Sequence, residues 1–160
     1  MQLSHVSTAD LEDVLALNEA SVPHVNSIDL EQMRWFAKHA FFFKIATIGG
    51  RLSGFLVGLR PGTDYRSENY RWFCENYADF GYVDRVAVDA STRRFGVGSA
   101  LYDDFARILR GEVDFMTCEV NVRPPNETSM RYHEKQGFVH VGSRETEDGA
   151  KKVALLEKSL

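Results

Sequence analysis

Arg93-Arg94-Phe95-Gly96-Val97-Gly98 lies between a run with strand character, Tyr82 to Val88 (YVDRVAV), and a run with helix character, Ser99 to Arg110 (SALYDDFARILR). Strand, glycine-bearing loop and helix in that order form a cradle for phosphate. Gly96 and Gly98 carry no Cβ, so backbone N–H groups can close on an anion, and the helix adds its positive N-terminal end. Arg93 and Arg94 add charge-assisted donors. A dinucleotide fingerprint needs a third glycine where Leu101 stands, and a P-loop needs Gly-Lys-Ser/Thr where the chain has Gly98-Ser99-Ala100. Both of those motif readings fail, and an Arg-x-x-Gly-x-Gly loop remains.

The groups able to move protons near such a loop are few. Asp84 alternates with Val86 and Val88 on one face of the preceding strand. Farther on, Asn126, Ser129 and His133 fall on one helix face, with Tyr132 turned about 100° away. A histidine with an ordinary pKa of about 6.5 can donate a proton near neutral pH.

The elements that must position these residues follow from periodicity and punctuation. Residues 2–6 read as a short strand, and Ser7 or Thr8 caps a helix with Leu11, Val14, Leu15 and Asn18 at helical spacing. Asp29 caps a second helix, Leu30 to Lys38. Residues 41–48 and 51–59 form a hairpin across Gly49-Gly50. The stretch from Arg60 to Phe80 mixes aromatics with charges, so it reads as core packing or as a pocket wall, with room for a short helix of its own. After the cradle and its helix come a strand (Phe115 to Val122), a helix from Glu127 to Gln136 capped by Asn126 and closed by Gly137, and two strands, Phe138–Ser143 and Lys151–Lys158. Trp35, Phe36 and the phenylalanines at 41–43 read as core. The order, β-α-α-β-β-β-α-β-α-β-β, is that of an α/β or α+β layer fold, and without a repeat or linker it predicts a single domain over 1–160.

Composition narrows the function. A chain of 160 residues, 44% hydrophobic and 26% charged, is globular, and a net charge of -4 argues against nucleic acid while favouring a cationic small substrate. Two cysteines, Cys74 and Cys118, make no disulfide framework, which points to a reducing, cytoplasmic setting. The N-terminus has no signal-like apolar segment, and no apolar run approaches the roughly 20 residues of a membrane span. Five histidines without ligand spacing predict no metal.

Two segments carry a resemblance. YVDRVAVDASTRRFGVG is similar to the fourth strand and pyrophosphate loop of the GNAT N-acetyltransferase superfamily, and the run from Asn126 to Phe138 (NETSMRYHEKQGF) resembles its asparagine-helix-glutamate-lysine-x-glycine-phenylalanine motif. The resemblance implies a mixed, mostly antiparallel sheet of six to seven strands, flanked by about four helices and splayed between strands 4 and 5. It implies acetyl-CoA as cosubstrate, with the pantetheine arm paired along the backbone of Val86, Ala87 and Val88. The pyrophosphate falls to Arg93, Arg94, Phe95, Gly96, Val97, Gly98 and Ser99, with Asn126, Ser129 and His133 completing the cofactor set. An N–H near Val86 or Ala87 would polarise the thioester carbonyl.

Where family members carry a catalytic tyrosine, directly before the glutamate-lysine pair, this chain has His133, with Tyr132 one residue earlier. The resemblance thus implies His133, in place of Tyr132, as the acid facing the CoA sulfur. An amine with a pKa of about 10.4 must lose a proton before it attacks, by a base or a water chain. Asp84 is the best-placed base; Glu19, Glu75 and Asp79 are weaker candidates. Asp84 beside Arg85 also reads as a strand-surface ion pair, and His133 as a solvated helix histidine. The expected activity is transfer of acetyl from acetyl-CoA to a primary amine of a small molecule, in a ternary complex. A protein N-terminal or lysine acetyltransferase and a non-catalytic CoA-binding module are the alternatives. Members often pair through their last strands or sheet edges, so the resemblance allows a homodimer.

Overall fold

The computed structural model describes residues 1–160, the side chain of Glu147 excepted. The elements run β1 (Gln2–His5), α1 (Leu11–Ala20), α2 (Leu30–His39), β2 (Phe42–Ile48), β3 (Arg51–Leu59), α3 (Glu68–Asn76), β4 (Gly81–Val88), α4 (Val97–Leu109), β5 (Phe115–Arg123), α5 (Glu127–Lys135), β6 (Val139–Thr146) and β7 (Lys151–Ser159). Seven strands follow the order β1-β2-β3-β4-β5-β7-β6 in a mostly antiparallel sheet, with β4 and β5 parallel. There are five helices where about four were expected, the addition being α3. Helix α4 begins at Val97, two residues before the expected start, because Gly96 already accepts the N–H of Ala100 at 2.9 Å. The chain divides into two compact units, Met1–Leu59 with Asp84–Ile108, and Arg60–Val83 with Leu109–Leu160.

The first unit is built on the hairpin of β2 and β3. Its turn residues Gly49 and Gly50 stand at φ +59° and +77°, the left-handed pair that a two-residue hairpin turn requires. Asp29 caps α2 by accepting the Gln32 N–H at 2.8 Å. Helix α4 approaches β3 at two glycines. A Cβ on Gly58 would stand 2.5 Å from Cζ of Phe105, and one on Gly54 would stand 2.6 Å from Cγ1 of Val97 and 3.0 Å from the Ala87 carbonyl. Lys44 on β2 reaches Asp104 on α4 at 2.6 Å. Leu11, Val14, Met33, Phe36, Phe55 and Phe105 are buried in this unit. Of the three consecutive phenylalanines, Phe42 and Phe43 are buried but Phe41 is 44% exposed, since β2 starts only at Phe42. Trp35 is half-buried.

In the second unit β5, β7 and β6 pair antiparallel, and β4 pairs with β5 over three residues, Gly81↔Met116 to Val83↔Cys118. Helix α3 answers the question posed by the segment from Arg60 to Phe80. Ser67 caps it by accepting the Tyr70 N–H at 3.3 Å, and the Tyr70 hydroxyl donates to the Arg60 carbonyl at 2.8 Å. The Phe73 ring lies 5.7 Å from Tyr77, 5.9 Å from Phe80 and 5.8 Å from Tyr82, centroid to centroid. Tyr70, Phe73 and Phe80 are buried. These aromatics are core of the second unit, so the expectation of a substrate wall in the segment fails for them.

Candidate functional site

The cradle grows out of β4. Beyond Val88, Asp89 caps a 3-10 turn, Ala90–Thr92, by accepting the Ser91 N–H at 2.9 Å. The Ser53 carbonyl on β3 holds this turn twice, taking the Asp89 N–H at 2.9 Å and the Thr92 hydroxyl at 3.2 Å. From that anchor Arg93, Arg94, Phe95 and Gly96 run exposed into solvent, before Val97 is buried as α4 starts. Arg94 stands at φ +72° and Gly96 at φ +77°, with nothing within 4 Å of the place a Gly96 Cβ would take. The residues therefore suit an anion: an open backbone loop, two guanidinium groups, and the positive end of a helix of 13 residues.

On the same strand Asp84, Val86 and Val88 share the less covered face, as the alternation predicts. The Asp84 carboxylate accepts from Nε of Arg85 at 2.9 Å, with the two side chains 4% and 6% exposed. The reading of a surface ion pair is thus overturned: the pair is buried. Arg85 goes on to donate to the side-chain oxygen of Asn18 at 2.9 Å and to the Asn26 carbonyl at 3.3 Å, and it lies 5.0 Å from the Phe36 ring centroid. Neither Arg85 nor Asn18 was among the candidates. The signal available was Asn18 itself, a polar residue in the apolar stripe of α1, where it is fully buried.

The weaker base candidates fare differently. Glu19 is occupied by the Ser27 hydroxyl at 2.7 Å, the Ile28 N–H at 3.0 Å and the Asn18 amide at 3.0 Å. Those bonds, the Ser27 hydroxyl first, hold its carboxyl below the usual range, which makes it a poor proton acceptor. Asp79 is paired with Arg60 at 2.7 Å, and Glu75 is exposed on α3.

In the second unit Asn126 caps α5, its side-chain oxygen accepting the Ser129 N–H at 3.2 Å. The Ser129 hydroxyl lies 3.3 Å from Nδ1 of His133, so the three residues form one row, as the helix face predicts. His133 is 4% exposed, its ring packed edge-on against Phe138 at 5.1 Å, which overturns the reading of a solvated histidine. Nδ1 lies 2.8 Å from the Ser129 carbonyl. A carbonyl only accepts, so Nδ1 carries the proton of the neutral ring. Burial lowers the pKa of His133, against a smaller upward effect of the Ser129 carbonyl. An ordinary histidine pKa suited to donation at neutral pH, as expected from the residue type, is therefore not what this ring has.

Among the described residues no group of three or more His, Cys, Asp or Glu could hold a metal ion, and no helix is long and apolar enough to cross a membrane. The family model for the acetyltransferase (GNAT) family matches residues 11–138, a span that includes both the cradle and the α5 motif. The chain belongs to the GNAT acetyltransferase family. The GNAT architecture recurs in solved structures that cover it end to end. Arabidopsis thaliana NAA60 in complex with a bisubstrate analogue superposes with a TM-score of 0.79 at 14% identity, covering 99% of this chain and 97% of that one. Ard1 from Thermoplasma volcanium gives 0.78 at 22% identity, with 99% and 97% covered. The ribosomal-protein-alanine N-acetyltransferase from Brucella melitensis gives 0.74 at 21%, with all of both chains covered. No curated protein matches the sequence. At these identities the neighbours establish the GNAT fold.

Proposed function

We propose that the protein moves an acetyl group from acetyl-CoA to a primary amine of a small molecule, by direct attack of the amine in a ternary complex. The observation that carries this reading is the loop from Arg93 to Gly98: exposed arginines, a left-handed glycine with open space beside it, and the head of α4, in a chain of the acetyltransferase family. When bound, acetyl-CoA supplies the acetyl group as an activated thioester. Arg93, Arg94 and the N–H groups of the first turn of α4 would hold its pyrophosphate, and the backbone of Val86 to Val88 its pantetheine arm. Asp84 would take the proton from the amine. His133, with its one neutral proton held on Nδ1, serves as an acid only as imidazolium. What supports a small, cationic acceptor is the net charge of -4; Tyr70 and Phe73 of α3 do not argue for a pocket wall, since they are buried in the core.

Calorimetric titration with acetyl-CoA and CoA tests the cosubstrate, with saturation at one site per chain as the expected result. Gly96→Glu should abolish binding while the protein stays folded. Gly96→Ala is the control, because it carries the same left-handed strain, of about 1–2 kcal/mol, without the charge. Unchanged affinity in Gly96→Glu would sink the assignment. An acceptor screen with polyamines, amino acids, aminoglycosides and a peptide with a free N-terminus tests the acceptor, and preference for the peptide overturns the small-molecule reading.

A further inference from the structure

The polar network around Arg85 joins three parts of the first unit through one guanidinium. Nε holds the Asp84 carboxylate on β4 at 2.9 Å, and Nη1 reaches the Asn18 side chain on α1 at 2.9 Å and the Asn26 carbonyl at 3.3 Å, in the loop between α1 and α2. The Asn18 amide completes the circuit, donating to the Asn26 carbonyl at 3.1 Å and to Glu19 at 3.0 Å, so both its donors and its acceptor are used. Glu19 in turn takes the Ser27 hydroxyl and the Ile28 N–H. Residues 26–28 thus hang on two neighbouring side chains of α1, and the loop touches the Asp84 carboxylate only through Arg85 within this network.

We infer that Arg85 is a positioning residue, which sets the 26–28 loop against the Asp84 carboxylate and so shapes the approach of the acceptor amine. The inference rests on the proposed role of Asp84 as base. An amine that gives its proton to Asp84 must come within about 2.6–3.2 Å of that carboxylate, and the Asn26 carbonyl is bound to the same guanidinium. A planar fork can serve the carboxylate and the loop at once, whereas a lysine ammonium offers a point charge on a flexible stem. Arg85 touches neither the cosubstrate nor the acceptor amine in this scheme; it acts through Asp84 and the loop.

The test compares wild type with Arg85→Met, Arg85→Lys and Asn18→Asp. Three quantities are read: acetyl-CoA affinity by calorimetry, steady-state kinetics with spermidine, lysine and kanamycin as acceptors, and amide exchange at Ile28 by NMR. Arg85→Met should lower kcat/KM for the acceptor by about tenfold to a hundredfold, leave the acetyl-CoA Kd within about twofold, and speed exchange at Ile28. Arg85→Lys restores the charge but not the fork, so it should recover folding while the acceptor KM stays raised; full recovery of both would reduce Arg85 to a charge partner and overturn the inference. Asn18→Asp keeps the ion pair and removes the two amide donors, so it should share the exchange and KM signature even where Arg85→Met folds poorly. Unchanged kcat/KM and unchanged Ile28 exchange in a folded variant would overturn the inference alone. Failure of wild type to bind acetyl-CoA would instead overturn the proposed function, with the Ile28 exchange still deciding whether Arg85 sets the loop.

Discussion

His133 gives the chain a pH signature whose sign is fixed by burial. Burial holds its pKa below the ordinary histidine value of about 6.5, so between that lowered value and 6.5 the unfolded chain binds more protons than the folded one. The stabilising contribution is whole above 6.5 and declines as pH falls through that window. His133→Asn keeps an amide donor near the Nδ1 position and does not titrate, so urea unfolding of this variant should lose part of the acid-side slope seen in wild type. An identical slope in both would show that His133 is not the group responsible. Catalysis reads the same ring differently: a donor role requires imidazolium, so kcat should rise as pH falls below 6.5 and His133→Ala should remove that rise. If Tyr132→Phe loses turnover and His133→Ala does not, the role passes to Tyr132. At this scale the cradle was legible because Gly96 and the arginines answer local demands of backbone and charge. The burial of Arg85 was not, because it depends on neighbours remote in sequence, such as Asn18, 67 positions away.

Helix α4 closes on β3 because β3 carries glycines where the helix presents bulk. Gly58→Ala would drive a methyl to within 2.5 Å of the buried Phe105 ring, so it should destabilise by about 1–3 kcal/mol, read as a lower urea midpoint at unchanged m. No loss of stability would mean that the ring shifts freely. The punctuation of the elements was legible wherever a residue type answers a single backbone need: Gly49-Gly50 in the hairpin, Asp29 and Asn126 at helix starts, Gly137 at φ +88° after α5. Helix α3 was harder to read, because in nine residues it buries only Tyr70 and Phe73, and so short a stripe barely registers as helical periodicity. The start of α4 was misplaced for a related reason. Gly98 sits inside the helix, where propensity alone would put it in the loop.

For the whole molecule, ligand linkage supplies a prediction that needs no acceptor. If only the folded chain binds acetyl-CoA, a concentration 100 times the Kd stabilises it by about 2.7 kcal/mol, which for a chain of 160 residues is roughly 5–10 °C in Tm. Gly96→Glu should show no such shift, and an equal shift in both proteins would count against the cradle. The fold class was legible at this scale because two motifs and the order of elements agree. The polar network around Arg85 was not, because it draws on α1, α2 and β4, and no local pattern announces their meeting. Gly54 condenses the point into one atom. Its missing methyl is what allows the Ala87 carbonyl and the Val97 side chain to crowd the same spot on β3. Glycine there works as a shim of zero thickness, and the gauge between the strand that would carry the pantetheine arm and the helix that would carry its phosphates is set from a third element that binds neither.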